Sequence, residues 1–172
     1  MKSALLFLAL LVGITFNGKA QSGNNQLQAS GQVSFPVSTL KNFAKTGYGF
    51  AAKGLFGFGK ATQQATIEAG YDTFSLDQPE GYATDYTAIP VYLGYRYLFG
   101  NVFVEPQLGI AIDRFKVPYV PIDESTTTRF GWAASIGYLV GPIELGAKYQ
   151  SSVTQAKDLN FVSIRLGYNF GL

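Results

Sequence analysis

Apolar and polar residues alternate with a period of two along most of this chain. In residues 161–170 (FVSIRLGYNF), Val, Ile, Leu, Tyr and Phe fill the even positions, whereas the odd positions are mostly small or polar. Successive side chains of a strand point to opposite faces, so this pattern indicates strands with two chemically different faces. Eight such strands are predicted, at about 27–37, 47–58, 61–73, 85–99, 102–114, 129–140, 143–151 and 160–170.

The connections between these segments alternate in length. The short ones are the dipeptides Gly59-Lys60, Gly100-Asn101 and Gly141-Pro142. A type II′ hairpin turn takes Gly at its first central position, although a type I′ turn suits Gly100-Asn101 equally well. The longer connections are polar or contain Pro and cover about 38–46, 74–84, 115–128 and 152–159. This arrangement predicts an antiparallel up-and-down meander, which closes into a barrel and loses its free edges when the first and last strands pair.

The apolar face of the predicted strands is crowded with aromatic rings, which would overfill the lumen of an eight-stranded barrel. The opposite face is rich in Gly, Ala, Ser and Gln, and charged residues make up only 14% of the chain. Soluble domains usually contain about 25% charged residues. We therefore predict an all-β, eight-stranded antiparallel up-and-down transmembrane β-barrel whose aromatic face contacts lipid.

The N-terminal residues have the features of a secretory signal peptide. Lys2 precedes an apolar run that is too short to span a bilayer, and Gly18-Lys19-Ala20 fits a small-x-small cleavage site. We expect cleavage after Ala20, which leaves residues 21–172 as the barrel. Removing Lys2 and Lys19 from the 13 basic residues leaves 11, equal to the 11 acidic residues. No basic stripe then remains to favour a nucleic-acid partner.

The polar face of the strands carries charged residues of both signs. They form a predicted lumen ion-pair network, which consists of Lys53, Glu68, Asp72, Arg96, Glu105, Asp113, Glu144, Lys148 and Arg165. An unpaired buried charge costs several kcal/mol, so these groups are expected to pair with one another and to plug the lumen.

The predicted turns also fix which of these residues are opposite each other. Counting outward from Gly100-Asn101 places Arg96 directly across from Glu105. Counting from Gly59-Lys60 places Lys53 opposite Thr66 and diagonal to Glu68. Both counts assume two-residue turns.

The hairpin AIPVYLGYRYLFGNVFVEPQLGI and the closing segment FVSIRLGYNFGL resemble the OmpX- and OmpA-like outer-membrane β-barrels of Gram-negative bacteria. The resemblance implies an outer-membrane location, periplasmic short turns and extracellular long loops. It also implies contact with outer-membrane lipid and lipopolysaccharide, and recognition of a terminal aromatic residue by the barrel-assembly machinery. Phe170 is the equivalent of that residue, although Gly171 and Leu172 follow it.

Nothing in the sequence favours catalysis. The chain has no His and no Cys, so the His-dependent lipid A enzymes among small barrels have no counterpart here. We expect no enzymatic activity, no cofactor and no metal. The candidate extracellular loop contacts are Phe115, Tyr119, Asp123 and Glu124. The two carboxylates suit Ca²⁺ or a bridged phosphate, but solvated loop charges are the simpler interpretation.

The expected function is therefore a non-catalytic integral outer-membrane barrel with a structural or surface-interaction role. Two alternatives stay open. One alternative is that the chain is an accessory subunit of a larger outer-membrane secretion or assembly complex. The other is that it is an exported soluble barrel that binds an apolar ligand.

Overall fold

The computed structural model describes residues 25–58, 62–77, 84–116, 124–153 and 158–172, with only the backbone of residues 124 and 125. The predicted signal peptide, the Gly59-Lys60 dipeptide, Tyr119 and Asp123 lie outside these residues. The side chain of Glu124 also lies outside them.

Eight antiparallel strands form a closed barrel in chain order, and β1 pairs with β8. The strands are β1 (Gln26–Val37), β2 (Gly47–Gly57), β3 (Gln63–Ser75), β4 (Asp85–Phe99), β5 (Val102–Lys116), β6 (Glu124–Val140), β7 (Ile143–Ser152) and β8 (Leu159–Gly171). A single-turn 3-10 helix, Leu40–Asn42, lies between β1 and β2. None of the helices within the described ranges is long and apolar enough to cross a membrane.

The predicted fold class is confirmed. The eight segments with alternating residues are the eight strands, and their pairing in sequence order is an up-and-down topology. Closure leaves no unpaired edge, which removes the main route by which an exposed strand recruits other chains.

Two of the predicted tight turns are present and belong to one type. Gly100 and Gly141 have φ of +63° and +59°, whereas Ser38 is the only described non-glycine residue with a positive φ. A type I′ turn would require a positive φ at Asn101 as well, so the Gly100-Asn101 hairpin is of type II′.

The predicted register between β2 and β3 is wrong by two residues. Lys53 lies opposite Glu68 rather than Thr66, and Thr66 lies opposite Leu55. β2 ends at Gly57, β3 begins at Gln63, and the backbone NH of Phe58 donates to the carbonyl of Gln63 at 3.1 Å, so the connection is longer than the predicted two residues. The Gly-Lys dipeptide resembled the other two turns in sequence but does not set the hairpin length.

The predicted 115–128 loop is also too long. β5 continues to Lys116 and β6 begins at Glu124, so Phe115 belongs to a strand. The Phe115 ring stacks on Tyr86 with centroids 5.0 Å apart and is partly buried. Phe115 is thus a packing residue of the barrel rather than a loop contact, because the strand register carries its side chain inward.

Candidate functional site: the charged lumen

The two faces of the barrel wall differ as the alternation requires. Large apolar side chains such as Phe50, Leu93 and Leu108 face outward and are at least 60% exposed. Charged and amide side chains, among them Lys53 and Glu105, face inward and are 1% exposed. An exported soluble barrel that binds an apolar ligand would need the opposite arrangement, so this alternative fits the structure poorly.

Arg96 holds two carboxylates near the short-turn end of the lumen. Its guanidinium lies 2.7 Å from Glu105 Oε2 and makes a two-point contact with Glu144, at 2.7 and 3.2 Å. The guanidinium also lies over the ring of Phe103, 3.9 Å from the ring centroid. The planar guanidinium presents several donors at once, which lets a single side chain bridge β5 and β7 across the lumen.

Glu68 is the second centre of charge pairing. Its carboxylate lies 2.6 Å from Lys148 Nζ, 2.8 Å from Arg165 Nη2 and 3.0 Å from Lys53 Nζ. Lys53 Nζ also lies 2.9 Å from Glu105 and so joins the Glu68 cluster to the Arg96 cluster. These ion pairs define a connected seven-residue network of Lys53, Glu68, Arg96, Glu105, Glu144, Lys148 and Arg165.

Neutral side chains complete the coordination of these charges. Gln107 donates to both Glu68 and Glu105, at 3.1 and 2.8 Å, and Thr66 donates to Glu105 at 2.8 Å. Gln32 accepts from Arg165 at 2.9 Å and donates to Asp72 at 2.7 Å. Asp72 therefore interacts with the seven-residue network through an amide bridge rather than through an ion pair, and its charge offsets the excess positive charge of that network.

Asp113 belongs to a separate group nearer the long loops. It accepts a hydrogen bond from Tyr86 Oη at 2.7 Å and lies 3.4 Å from Arg129. Arg129 was not predicted as a lumen residue, although it is the first residue of the predicted strand at 129–140. Extending the inward positions of Gly131 and Ala133 back by one step would have placed Arg129 on the lumen face. With Arg129, the lumen-facing cations and carboxylates named here balance in number.

Inward aromatic rings occupy space that neighbouring glycines leave open. A side chain at Gly131 would meet Tyr92 Oη at 2.5 Å, and one at Gly137 would meet the Phe103 ring at 2.5 Å. Lys148 Nζ lies 5.0 Å from the centroid of the Tyr92 ring. Alternation of small and large residues fills the interior of a narrow barrel, and here it packs aromatic rings against the charged groups.

An apolar cluster lies beyond the charged groups at the long-loop end. We call this cluster the cap, and its buried members are Leu40, Phe74, Tyr86, Ala88, Leu159 and Phe161. Leu40 comes from the 3-10 helix, and the NH of Asp77 donates to the carbonyl of Phe43 at 2.8 Å. The β1–β2 connection thus folds over the barrel mouth and contributes to its packing.

Two further predicted site residues, Glu124 and Phe170, lie at strand ends. Glu124 is the first residue of β6, and Phe170 lies outward near the end of β8 with 49% of its surface exposed. Across the described ranges, no three Asp or Glu side chains are grouped as a metal site requires.

No protein-family model matches the chain, and no curated protein matches it. The solved structures it is similar to are small outer-membrane β-barrels. Ail of Yersinia pestis is 14% identical, with a TM-score of 0.60 over 85% of this chain and 97% of Ail. Neisserial surface protein A is 13% identical, with a TM-score of 0.62 over 87% of this chain and 97% of that protein. The N-terminal barrel domain of Pseudomonas aeruginosa OprF is 11% identical, with a TM-score of 0.54 over 87% of this chain and 100% of that domain. At these identities the structural similarity shows the fold. It is the fold that the sequence resemblance to OmpX- and OmpA-like barrels implied.

Proposed function

We propose that this protein is a non-catalytic integral outer-membrane barrel with a structural or surface-interaction role and a lumen closed to solutes. The observation that carries the proposal is the reversal of the usual distribution of polarity. The outer wall is apolar and exposed, while the lumen holds ion-paired side chains that are 0–3% exposed. Such a wall is stable in a bilayer, whose interior requires every backbone polar group to be paired.

Closure of the lumen is supported at two levels. The seven-residue network crosses the lumen from β2 to β5 through Lys53 and from β4 to β7 through Arg96. The cap adds a second barrier at the long-loop end, where the Phe74 and Phe161 rings lie 5.0 Å apart. A hydrated ion would have to break buried ion pairs and displace packed aromatic rings, both of which are costly.

The proposed orientation places the short turns and both barrel termini in the periplasm, and the long connections outside the cell. The surface role is thereby assigned to the long connections and to the adjoining outer wall. Lipopolysaccharide and outer-leaflet lipid are the expected partners there. Ail, a barrel of the same fold, has been crystallised with the polyanionic heparin analogue sucrose octasulfate, which supports a polyanion-binding role for this architecture.

Membrane fractionation tests the location. The chain, expressed with residues 1–20, is expected in the outer-membrane fraction, with a gel mobility that changes on boiling. Recovery from the soluble periplasm would overturn the proposal.

Purification in mild detergent tests the alternative that the chain is an accessory subunit. A lone barrel species, lighter than the 18.6 kDa uncleaved chain by residues 1–20, supports an independent role. A stoichiometric protein partner would favour the complex instead.

A further inference from the structure

The outer wall of the barrel carries a charged groove at the long-loop end of β3, β4 and β5. This β5 groove has a volume of about 310 Å³. The side chains that line it include Tyr71, Thr73, Asp85, Thr87, Arg114 and Lys116. It lies outside the lumen, on the outer surface of the barrel, where the other large exposed side chains are apolar.

The position of the groove along the barrel axis follows from the outward residues of β5. From Val102 to Ile112 every outward position is apolar, and Arg114 and Lys116 are the next two outward positions. Ten residue steps at a rise of about 3.3 Å and a tilt of about 40° cover about 25 Å, which is the height of the lipid-facing band in such barrels. The two cations are therefore at the level of the lipid headgroups.

The aromatic residues nearby agree with this level. Tyr71 lines the groove and stacks on Phe50, with ring centroids 5.5 Å apart, and both rings face outward. Tyr and Trp rings concentrate at membrane–water interfaces, where one end of the ring is in contact with lipid and the other with water. The groove opens just beyond this interfacial ring.

The chemistry of the lining suits a phosphate group. Arg114 and Lys116 are both exposed and point to the same side of β5, with Cα atoms about 7 Å apart. Within the described part of the chain, neither side chain takes part in an ion pair. Thr87 lies directly across from Arg114 and offers a hydroxyl group, while Asp85 lies across from Lys116, so the charges of the described lining residues sum to +1.

We propose that the β5 groove binds the phosphorylated headgroup of a lipopolysaccharide in the outer leaflet. This inference rests on the proposed membrane location and orientation. Arg114 provides planar donors to the phosphate oxygens, Lys116 adds a second positive charge, and Thr87 adds a neutral donor. The apolar outward side chains of β5, from Ile112 back to Val102, contact the acyl chains of the same lipopolysaccharide molecule. A free anion would lack that second contact.

The test uses the folded barrel in zwitterionic detergent micelles and deep-rough lipopolysaccharide as the probe, followed by the ³¹P resonance of its phosphates. Wild type is expected to shift this resonance saturably. Arg114→Gln with Lys116→Gln is expected to weaken binding about a hundredfold, at about tenfold for each charge-assisted contact. Asp85→Asn is expected to tighten binding, because Asp85 is the only carboxylate among the described residues of the lining.

Lys45→Gln is the matched control, since Lys45 is an exposed cation outside the groove, with a side chain that is 63% exposed. It is expected to bind lipopolysaccharide like wild type. Equal binding by wild type and the double variant would overturn the inference, and so would inorganic phosphate that competes at a concentration similar to that of the lipid. Each variant is first shown to fold by its heat-modifiable mobility. Fractionation of the double variant with the outer membrane shows that its loss of lipopolysaccharide binding is separate from the proposed membrane location, which fails if wild type itself is absent from that membrane.

Discussion

Replacing Arg96 with Met tests whether the lumen ion pairs hold the barrel together. The substitution removes the guanidinium that contacts Glu144 at 2.7 Å and Glu105 at 2.7 Å, while keeping much of the apolar stem over Phe103. Glu105 retains Lys53 at 2.9 Å, together with Thr66. Glu144 keeps no other charged partner within the described part of the chain, so it becomes a buried carboxylate without a counter-charge.

Removing one partner of a buried pair costs about 3–5 kcal/mol, most of it from the charge left behind. We expect Arg96→Met to reduce the free energy of unfolding by that amount. Adding Glu144→Gln removes the orphaned charge, so the double variant should lose about 2 kcal/mol less than the sum of the two single variants. The control is Lys45→Ala, which breaks an exposed pair with Asp77 at 3.5 Å and should cost under about 1 kcal/mol.

The chain has one Trp, and Trp132 faces outward with 38% of its surface exposed. Its emission therefore reports the transfer of the barrel from lipid to water, and urea titration in phospholipid vesicles gives the free energy of unfolding. If Arg96→Met lowers the free energy of unfolding no more than Lys45→Ala does, or if the effects of the two lumen substitutions are additive, the lumen ion pairs do not stabilise the barrel.

Further predictions concern packing, the turns and assembly. Gly131→Leu should destabilise the barrel by about 1–3 kcal/mol because the new side chain meets the Tyr92 ring, and adding Tyr92→Ala should recover part of the loss in the same urea titration. Gly100→Ala should lower the free energy of unfolding by about 1–2 kcal/mol, because its φ of +63° lies in the left-handed region that an alanine side chain disfavours. Gly31→Ala should change it by under about 0.5 kcal/mol, because a Cβ atom added there would have no other atom within 4 Å. Phe170→Ala should lower the fraction of heat-modifiable protein in the outer membrane, and Leu172→Ala, at a residue 81% exposed, should not; equal yields would remove the assigned role of Phe170.

The fold was predictable because alternation and turn length are local properties of the sequence. Eight alternating segments fixed the strand number, and the crowding of aromatic residues on one face fixed which face points outward. Arg96 opposite Glu105 followed from a two-residue turn alone. The same reasoning failed for Lys53, because the connection from β2 to β3 is longer than two residues and the Gly-Lys dipeptide therefore does not predict the register.

The contacts across the lumen were not predictable from the sequence. Arg96 on β4 reaches Glu144 on β7, and Lys148 on β7 reaches Glu68 on β3. Neither β4 and β7 nor β3 and β7 are adjacent in the barrel, so each contact depends on the stagger and diameter of the closed barrel rather than on any hairpin. The cap was missed for a related reason, since Phe74 fell in a predicted loop although β3 extends through it.

Conductance of the folded monomer in a planar bilayer tests the central claim, a lumen closed by buried ion pairs and the cap, most directly. We expect no steady current above that of the protein-free membrane, because Lys53, Arg96 and Glu68 are each 1% exposed and span the lumen through ion pairs. A steady, voltage-independent ion current through the wild-type monomer would contradict it.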